Sequence, residues 1–298
     1  MQFKSAGLAP RTISSYQSDF RTFETWCKAA GRDPLPATDD TVELYITDLI
    51  RSGRKITTAE RHAMAINHWH RECRHPKPCG PGLRDLLNGA RRKLCQQPAQ
   101  KDAISLDDLK LMVKTIGTAS PIAIRDSALL LFGWATALRR SSLARLQRED
   151  LTFTPKGILI WVRNEKQDRE GKGRKLAVPF GKGKRMCPVR AMQRWLDVRG
   201  NMPGPVFCHV MRGHIKPKKL HGNRIAQIVQ ETAAKVGFDR KRYAAHSLRA
   251  GMATEGLERG VNEVMIAQQT GHRSLDTLRL YLRSRDPFRG NAVSKIGL

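Results

Sequence analysis

The chain has 298 residues and carries 54 Lys and Arg against 27 Asp and Glu, a formal net charge of +27. That length suits about two domains, and 40% hydrophobic residues can build their cores, which excludes a chain disordered throughout. The longest near-apolar run, Ala128 to Leu138, is too short to cross a bilayer, and MQFKSAGLAP has no apolar stretch of secretory type. Six cysteines make no disulfide scaffold, so a cytoplasmic protein of a reducing compartment is expected.

The first elements read as helices separated by turn signals. Thr12 to Ala30 places Ile13, Tyr16, Phe20, Phe23 and Trp26 at helical spacing and stops at Gly31. Asp39 to Arg51 starts on acidic residues, carries Val42, Leu44, Tyr45, Leu49 and Ile50, and stops before Gly53. Thr57 to Cys73 and Pro81 to Cys95 complete a small all-helical domain over residues 1–96. A Gln, Pro and Lys-containing linker over 97–104 follows.

The second domain, 105–298, opens with Ser-Leu-Asp-Asp, a capping box at Ser105. A buried helix is expected near Ile122–Leu131 and a polar one over Arg139–Arg148. Strand patterns follow at Leu151–Thr154, Gly157–Arg163 and Lys175–Phe180, with a polar turn over Asn164–Arg174. Helices resume at Pro188–Val198, Gly222–Val236, His246–Glu258, Asn262–Gln269 and Leu275–Arg283. The expected fold is mainly α with one small antiparallel β-sheet.

The charge is uneven. Residues 151–250 hold 23 basic and 6 acidic residues, while residues 1–100 hold 16 and 10. A basic surface spread over several elements points to nucleic-acid phosphates rather than to a membrane-surface helix.

Four segments carry candidate chemistry, and each alone has a plainer reading. Arg139 in Thr136-Ala-Leu-Arg-Arg-Ser-Ser-Leu143 reads as a surface arginine, and Lys166 in the polar turn as a solvent-facing lysine. His246-Ser-Leu-Arg249 puts two side chains on one helical face. Gly271-His272 is followed nine residues on by Tyr281, which among leucines reads as core.

Together and in this order, these segments resemble the tyrosine recombinases, the phage-integrase family. The match spans essentially the whole chain and is most similar to the Cre-like branch, with Trp26-Cys-Lys28 and the other amino-terminal helices resembling that family's SAM-like core-binding domain. The specific part is HxxR followed by GH-x8-Y: His246, Arg249, Gly271, His272 and Tyr281. Residues 105–298 would then be a mixed α/β catalytic domain of the tyrosine recombinase type. The resemblance implies a site-specific recombinase or integrase that cleaves and rejoins duplex DNA.

Arg139 and Arg249 suit neutralisation of a phosphodiester, because the guanidinium fork matches phosphate and stays charged. The resemblance makes Tyr281 the nucleophile, forming a 3′-phosphotyrosyl bond and releasing a 5′-hydroxyl. The bond energy stays in that link, so no ATP, metal or other cofactor is expected. Lys166 would protonate the leaving oxygen. His246 would accept the tyrosine proton or bond a phosphate oxygen, and His272 would donate to the same phosphate. Arg140 rivals Arg139, and Lys172 rivals Lys166. One departure stands out: Ser142 occupies a position where the family usually has an acidic residue, one that would help orient the basic side chains.

The tail 282–298 is expected to exchange between subunits of a homotetramer on an inverted-repeat target, with the need for accessory DNA-bending proteins left open. His68, His70, Cys73, His75 and Cys79 are zinc-ligand types, but their spacing matches no regular finger, and polar surface with one or two buried cysteines is expected there. Two other functions share parts of the pattern: a type IB topoisomerase-like nicking-closing enzyme and a catalytically silent DNA-binding regulator.

Overall fold

The computed structural model describes residues 8–95, 101–163, 165, 171–272, 274–279 and 296. They belong to two compact units, within Met1–Ala99 and within Gln100–Leu298. Lys166, Tyr281 and the tail 282–298 apart from Ile296 lie outside the described residues.

The first unit holds helices α1 (Pro10–Ala30), α2 (Asp39–Arg51), α3 (Ile56–Glu72) and α4 (Pro81–Leu94). Pro10 supplies a preset φ at the start of α1, and Thr38 caps α2 by accepting from the Thr41 N–H. Phe23, Val42, Tyr45, Ile46 and Ile66 form the core. Inside it, the Tyr45 hydroxyl donates to His62 Nδ1 at 2.8 Å, and His62 Nε2 faces Asp19 at 3.3 Å. Arg61 closes the set with a two-pronged grip on Asp19. Burial lowers the His62 pKa, which fits a neutral ring accepting from tyrosine and donating to the carboxylate.

The histidine-rich segment beside it is spent on packing. His70 is buried, its Nε2 accepts from the Ala37 N–H at 2.9 Å, and its Nδ1 donates to the Ile66 carbonyl. Cys73 is exposed, Cys79 is half-buried, and Cys27, Cys187 and Cys208 are buried. Among the described residues no cluster of three or more metal-ligating side chains forms, and no helix is long and apolar enough to cross a membrane.

The second unit begins with α5 (Leu106–Ile116), where Ser105 and Asp108 form the expected reciprocal capping box. α6 (Pro121–Thr136) is buried through most of its length, with Leu129, Leu130 and Phe132 at its centre. The short α7 (Arg140–Arg145) corrects the longer helix expected over Arg139–Arg148. It stops because the chain beyond it pairs elsewhere: the Val206 N–H bonds to the Leu146 carbonyl and the Arg148 N–H to the Gly204 carbonyl. Nor is α7 simply a polar surface helix, for Ser142, Leu143 and Ala144 are buried.

β1 (Leu151–Thr154), β2 (Gly157–Val162) and β3 (Arg174–Pro179) form an antiparallel meander in which Ile160 sits opposite both Leu151 and Leu176. Ile158, Ile160, Val162, Leu176 and Val178 face the core, while the alternating Leu159 and Trp161 stay exposed. After α8 (Pro188–Arg199) comes a second, two-stranded sheet of β4 (Cys208–Met211) and β5 (His214–Lys219), so the expected single sheet is corrected to two. The unit continues with α9 (Gly222–Lys235), α10 (Ala245–Glu258), α11 (Glu263–Thr270) and α12 (Leu275–Arg279).

α10 is seated at the centre of this unit. The Ile104 N–H bonds to the Ser247 carbonyl, and the Ile104 carbonyl accepts from Trp134 Nε1 at 3.0 Å. The helix can approach this closely because residue 251 is glycine: a Cβ there would strike the Ile104 carbonyl and the Trp134 indole. Gly251→Ala should therefore destabilise this unit by about 1–3 kcal/mol, the usual cost of overpacking. Thermal unfolding checks this, and an unchanged Tm would contradict the packing account.

Candidate active site

Four of the six site residues foreseen in the sequence are described, and the fold brings them together. Arg139 is the residue just before α7, and α10 carries both His246 in its first turn and Arg249 one turn on. His272 follows α11 through Gly271, whose φ of 71° and ψ of 38° turn the chain in the left-handed region. Glycine takes that conformation without the steric cost of a side chain. The amides of Gly271 and His272 both bond back to the Ala267 carbonyl, which fixes the direction of the turn.

Arg249 is the centre of the cluster and only 1% exposed. Its Nη1 donates to the carbonyls of Ala137 (2.8 Å) and Thr270, and its Nη2 lies 2.8 Å from His272 Nε2. The Ala137 carbonyl is aimed there by a positive φ of 47° at the end of α6, an uncommon conformation for a residue with a Cβ. A buried guanidinium is tolerated only when its donors are satisfied, and two of its partners here are neutral backbone carbonyls.

That contact decides the state of His272. An arginine always donates, so Nε2 must accept, which places the ring proton on Nδ1 facing Thr270 Oγ1 at 2.8 Å. Thr270 Oγ1 in turn donates to the Ile266 carbonyl. Desolvation first, then Arg249, Arg139 and His246, push the His272 pKa down to about 3. Both ring nitrogens are thus engaged with the protein, and donation to a phosphate requires one of these bonds to be exchanged. His246 is solvent-exposed at the rim, and its pKa is also lowered, by desolvation and then by Arg249 and Arg139. The cluster is therefore a cationic pocket in which desolvation first, and the charges of Arg249 and Arg139 after it, lower the pKa of both imidazoles.

Arg139 is the arginine that joins this cluster. Arg140 instead packs along Gly222 at the start of α9, where an added Cβ would sit 3.1–3.3 Å from its side chain. Three participants were not singled out in the sequence. Glu165 is buried, with Oε1 at 3.4 Å from Arg139 Nη1 and Oε2 at 2.7 Å from Arg174 Nε. Arg174, at the start of β3, reaches the carbonyls of Gln268 (2.9 Å) and Gln269 (3.3 Å) in the last turn of α11. Thr270 Oγ1 faces the Nδ1 of His272 at 2.8 Å. A charged turn and a strand-edge arginine give no periodic signal, so nothing in the sequence marked them. Beside these groups opens a cleft of about 700 Å³, lined among others by Glu165, Arg174, Gly271 and His272.

Comparison with known proteins agrees with this architecture. The model of the phage integrase family matches residues 103–287. The integrase/recombinase xerD homolog of Selenomonas ruminantium is 32% identical over 294 residues, covering 97% of this chain and 86% of the relative. Recombinase cre of Escherichia phage P1 is 24% identical, covering 92% and 84% of the two chains. Among solved structures, a lambda integrase(75-356) dimer bound to a COC′ core site aligns with a TM-score of 0.65 at 15% identity, over 95% of this chain and 93% of that one. The XerH site-specific recombinase bound to difH substrate aligns with a TM-score of 0.62 at 15% identity, over 91% and 76%. The chain belongs to the phage integrase family and is a tyrosine-type site-specific recombinase.

The protonation states carry a pH signature. A histidine whose folded pKa lies below its ordinary 6.5 takes up its proton first in the unfolded chain, so stability falls as pH drops from 6.5 toward about 3. In the free protein the His272 ring should show no titration by NMR between pH 5 and 8. A midpoint near 6.5 would contradict the Arg249 contact described here.

Proposed function

We propose that Arg139, Lys166, His246, Arg249, His272 and Tyr281 form the catalytic set, and that this chain cleaves and rejoins duplex DNA through a covalent 3′-phosphotyrosyl link. The observation that carries the reading is the convergence of Arg139, Arg249, His246 and His272 on one pocket, a group suited to a single phosphodiester. Two guanidiniums stabilise the charge that develops on the non-bridging oxygens as a nucleophile reaches phosphorus. His246, neutral at working pH and exposed at the rim, can take the tyrosine proton or bond a phosphate oxygen. His272 can donate to the phosphate once its ring proton moves to Nε2, with Nε2 leaving Arg249 and Nδ1 accepting from the Thr270 hydroxyl.

Tyr281 is the nucleophile and Lys166 the general acid in this reading; both lie outside the described residues, and their roles rest on the motif. A phenol of pKa about 10 leaves readily enough for a 5′-hydroxyl from another strand to reverse the step. The reaction conserves its bond energy and uses no ATP, metal or other cofactor.

The helical unit is the core-binding domain over 1–96 and the second unit the catalytic domain over 105–298, with 97–104 as linker and 282–298 as the exchange segment of a homotetramer on an inverted-repeat site. Support for phosphate contact comes from the exposed Arg212, Lys216, Lys218 and Lys219 of the β4–β5 hairpin and from Arg240, Lys241 and Arg242 before α10. The enzyme would work in the cytoplasm on nucleoid DNA.

Tyr281→Phe should abolish the covalent protein–DNA adduct on a nicked site while leaving DNA affinity within about threefold, since one hydroxyl adds little to an interface dominated by phosphate contacts. An adduct from the variant would overturn the nucleophile. Lys166→Ala should slow cleavage of ordinary DNA by about 100-fold or more, in line with loss of a general acid. A sulfur leaving group at the 5′ position should restore the rate. If Lys172→Ala shows that restoration instead, Lys172 is the acid.

A further inference from the structure

We infer that Glu165 is the orienting carboxylate of this active site, a positioning residue that holds Arg139 and supplies from the β2–β3 hairpin what Ser142 does not supply from α7. The inference rests on the reading of Arg139 as a phosphate-binding residue.

Ser142 is buried beside the start of α7, and its hydroxyl has no hydrogen-bond partner among the described residues. It therefore orients nothing charged. The carboxylate that does reach Arg139 comes from Glu165, 26 positions along the chain and directly before Lys166. Glu165 is itself 8% exposed, so its charge must be matched where it lies. Two guanidiniums match it, and the distances differ in a useful way. Arg174 is held close, at 2.7 Å, whereas Arg139 is touched by one nitrogen only, at 3.4 Å. Arg174 thus neutralises most of the carboxylate, and Arg139 is aimed without losing its charge. One anion between two cations leaves the triad with a net positive charge for a phosphate.

The triad also ties three segments together. Arg174 binds the last carbonyls of α11, the helix that ends at the His272 turn. Glycine at 271 leaves room for this pair, because a Cβ there would lie 3.0 Å from Glu165 Oε2 and 3.1 Å from two nitrogens of Arg174 and would push both aside by a few tenths of an ångström. Glu165 therefore links Arg139, the hairpin that carries Lys166, and the backbone that presents His272.

The test is the single-turnover rate of covalent adduct formation on nicked duplexes tiling the DNA around the gene. Each duplex is made with an ordinary scissile phosphate and with a methylphosphonate, in which a methyl group replaces one charged oxygen. Glu165→Gln keeps the shape and removes the charge, and Glu165→Ala removes both. On phosphate DNA both should slow by about 10–100-fold, the size expected for losing a charge-assisted hydrogen bond, with DNA affinity within about threefold of wild type. On methylphosphonate DNA the gap should close, because one less charge awaits neutralisation by Arg139. A phosphate rate within about threefold of wild type, or an equal deficit on both substrates, would overturn the role. Absence of an adduct from wild type on every duplex would instead overturn the active-site reading beneath it.

Discussion

A guanidinium buried almost completely in the second unit is the constraint on which the site depends. Removing Arg249 from water is costly, and a carboxylate partner would lower that cost but spend the charge. Part of the compensation comes from neutral groups: the carbonyls of Ala137 and Thr270, and the ring of His272. Much of the local backbone follows from it. The positive φ at Ala137 turns one carbonyl inward, the Gly271 turn returns His272 to the cluster, and Gly251 lets α10 sit close enough to Ile104 and Trp134 to hold Arg249 in place.

Desolvation, and after it the same charge, set the protonation of the neighbouring histidines. Beside Arg249 and Arg139 the imidazoles of His246 and His272 are held neutral, so positive charge in the pocket resides in groups that cannot lose a proton. Such a pocket is preorganised for an anion, with a histidine of lowered pKa at its rim. The carboxylate admitted nearby, Glu165, is shared between two arginines, with the closer contact going to Arg174.

Much of this was legible in the sequence, for local reasons. The bounds of α2 follow from its acidic start and its stop before Gly53, α5 from the Ser105 capping box, and the meander from alternation in Gly157–Val162. The β4–β5 hairpin was not, because His214–Lys219 is almost wholly exposed and polar and contains Pro217, which leaves no alternation to read. The end of α7 was overshot because its stop is set by pairing with residues 204–206, more than fifty positions away. Within the site, Arg139, His246, Arg249 and His272 were marked by motif and are assembled by the fold. Glu165, Arg174 and Thr270 were invisible, since their importance lies in contacts between segments and not in spacing along one.

The central claim is that this cationic pocket grips one phosphodiester while a tyrosine in the segment after α12 attacks it. The most direct test is to trap the protein on a nicked duplex, digest the adduct with protease and nuclease, and find by mass spectrometry which residue carries the nucleotide. The account predicts the peptide containing Tyr281, linked through a 3′-phosphate. Attachment at any other residue, or through a 5′-phosphate, would contradict it.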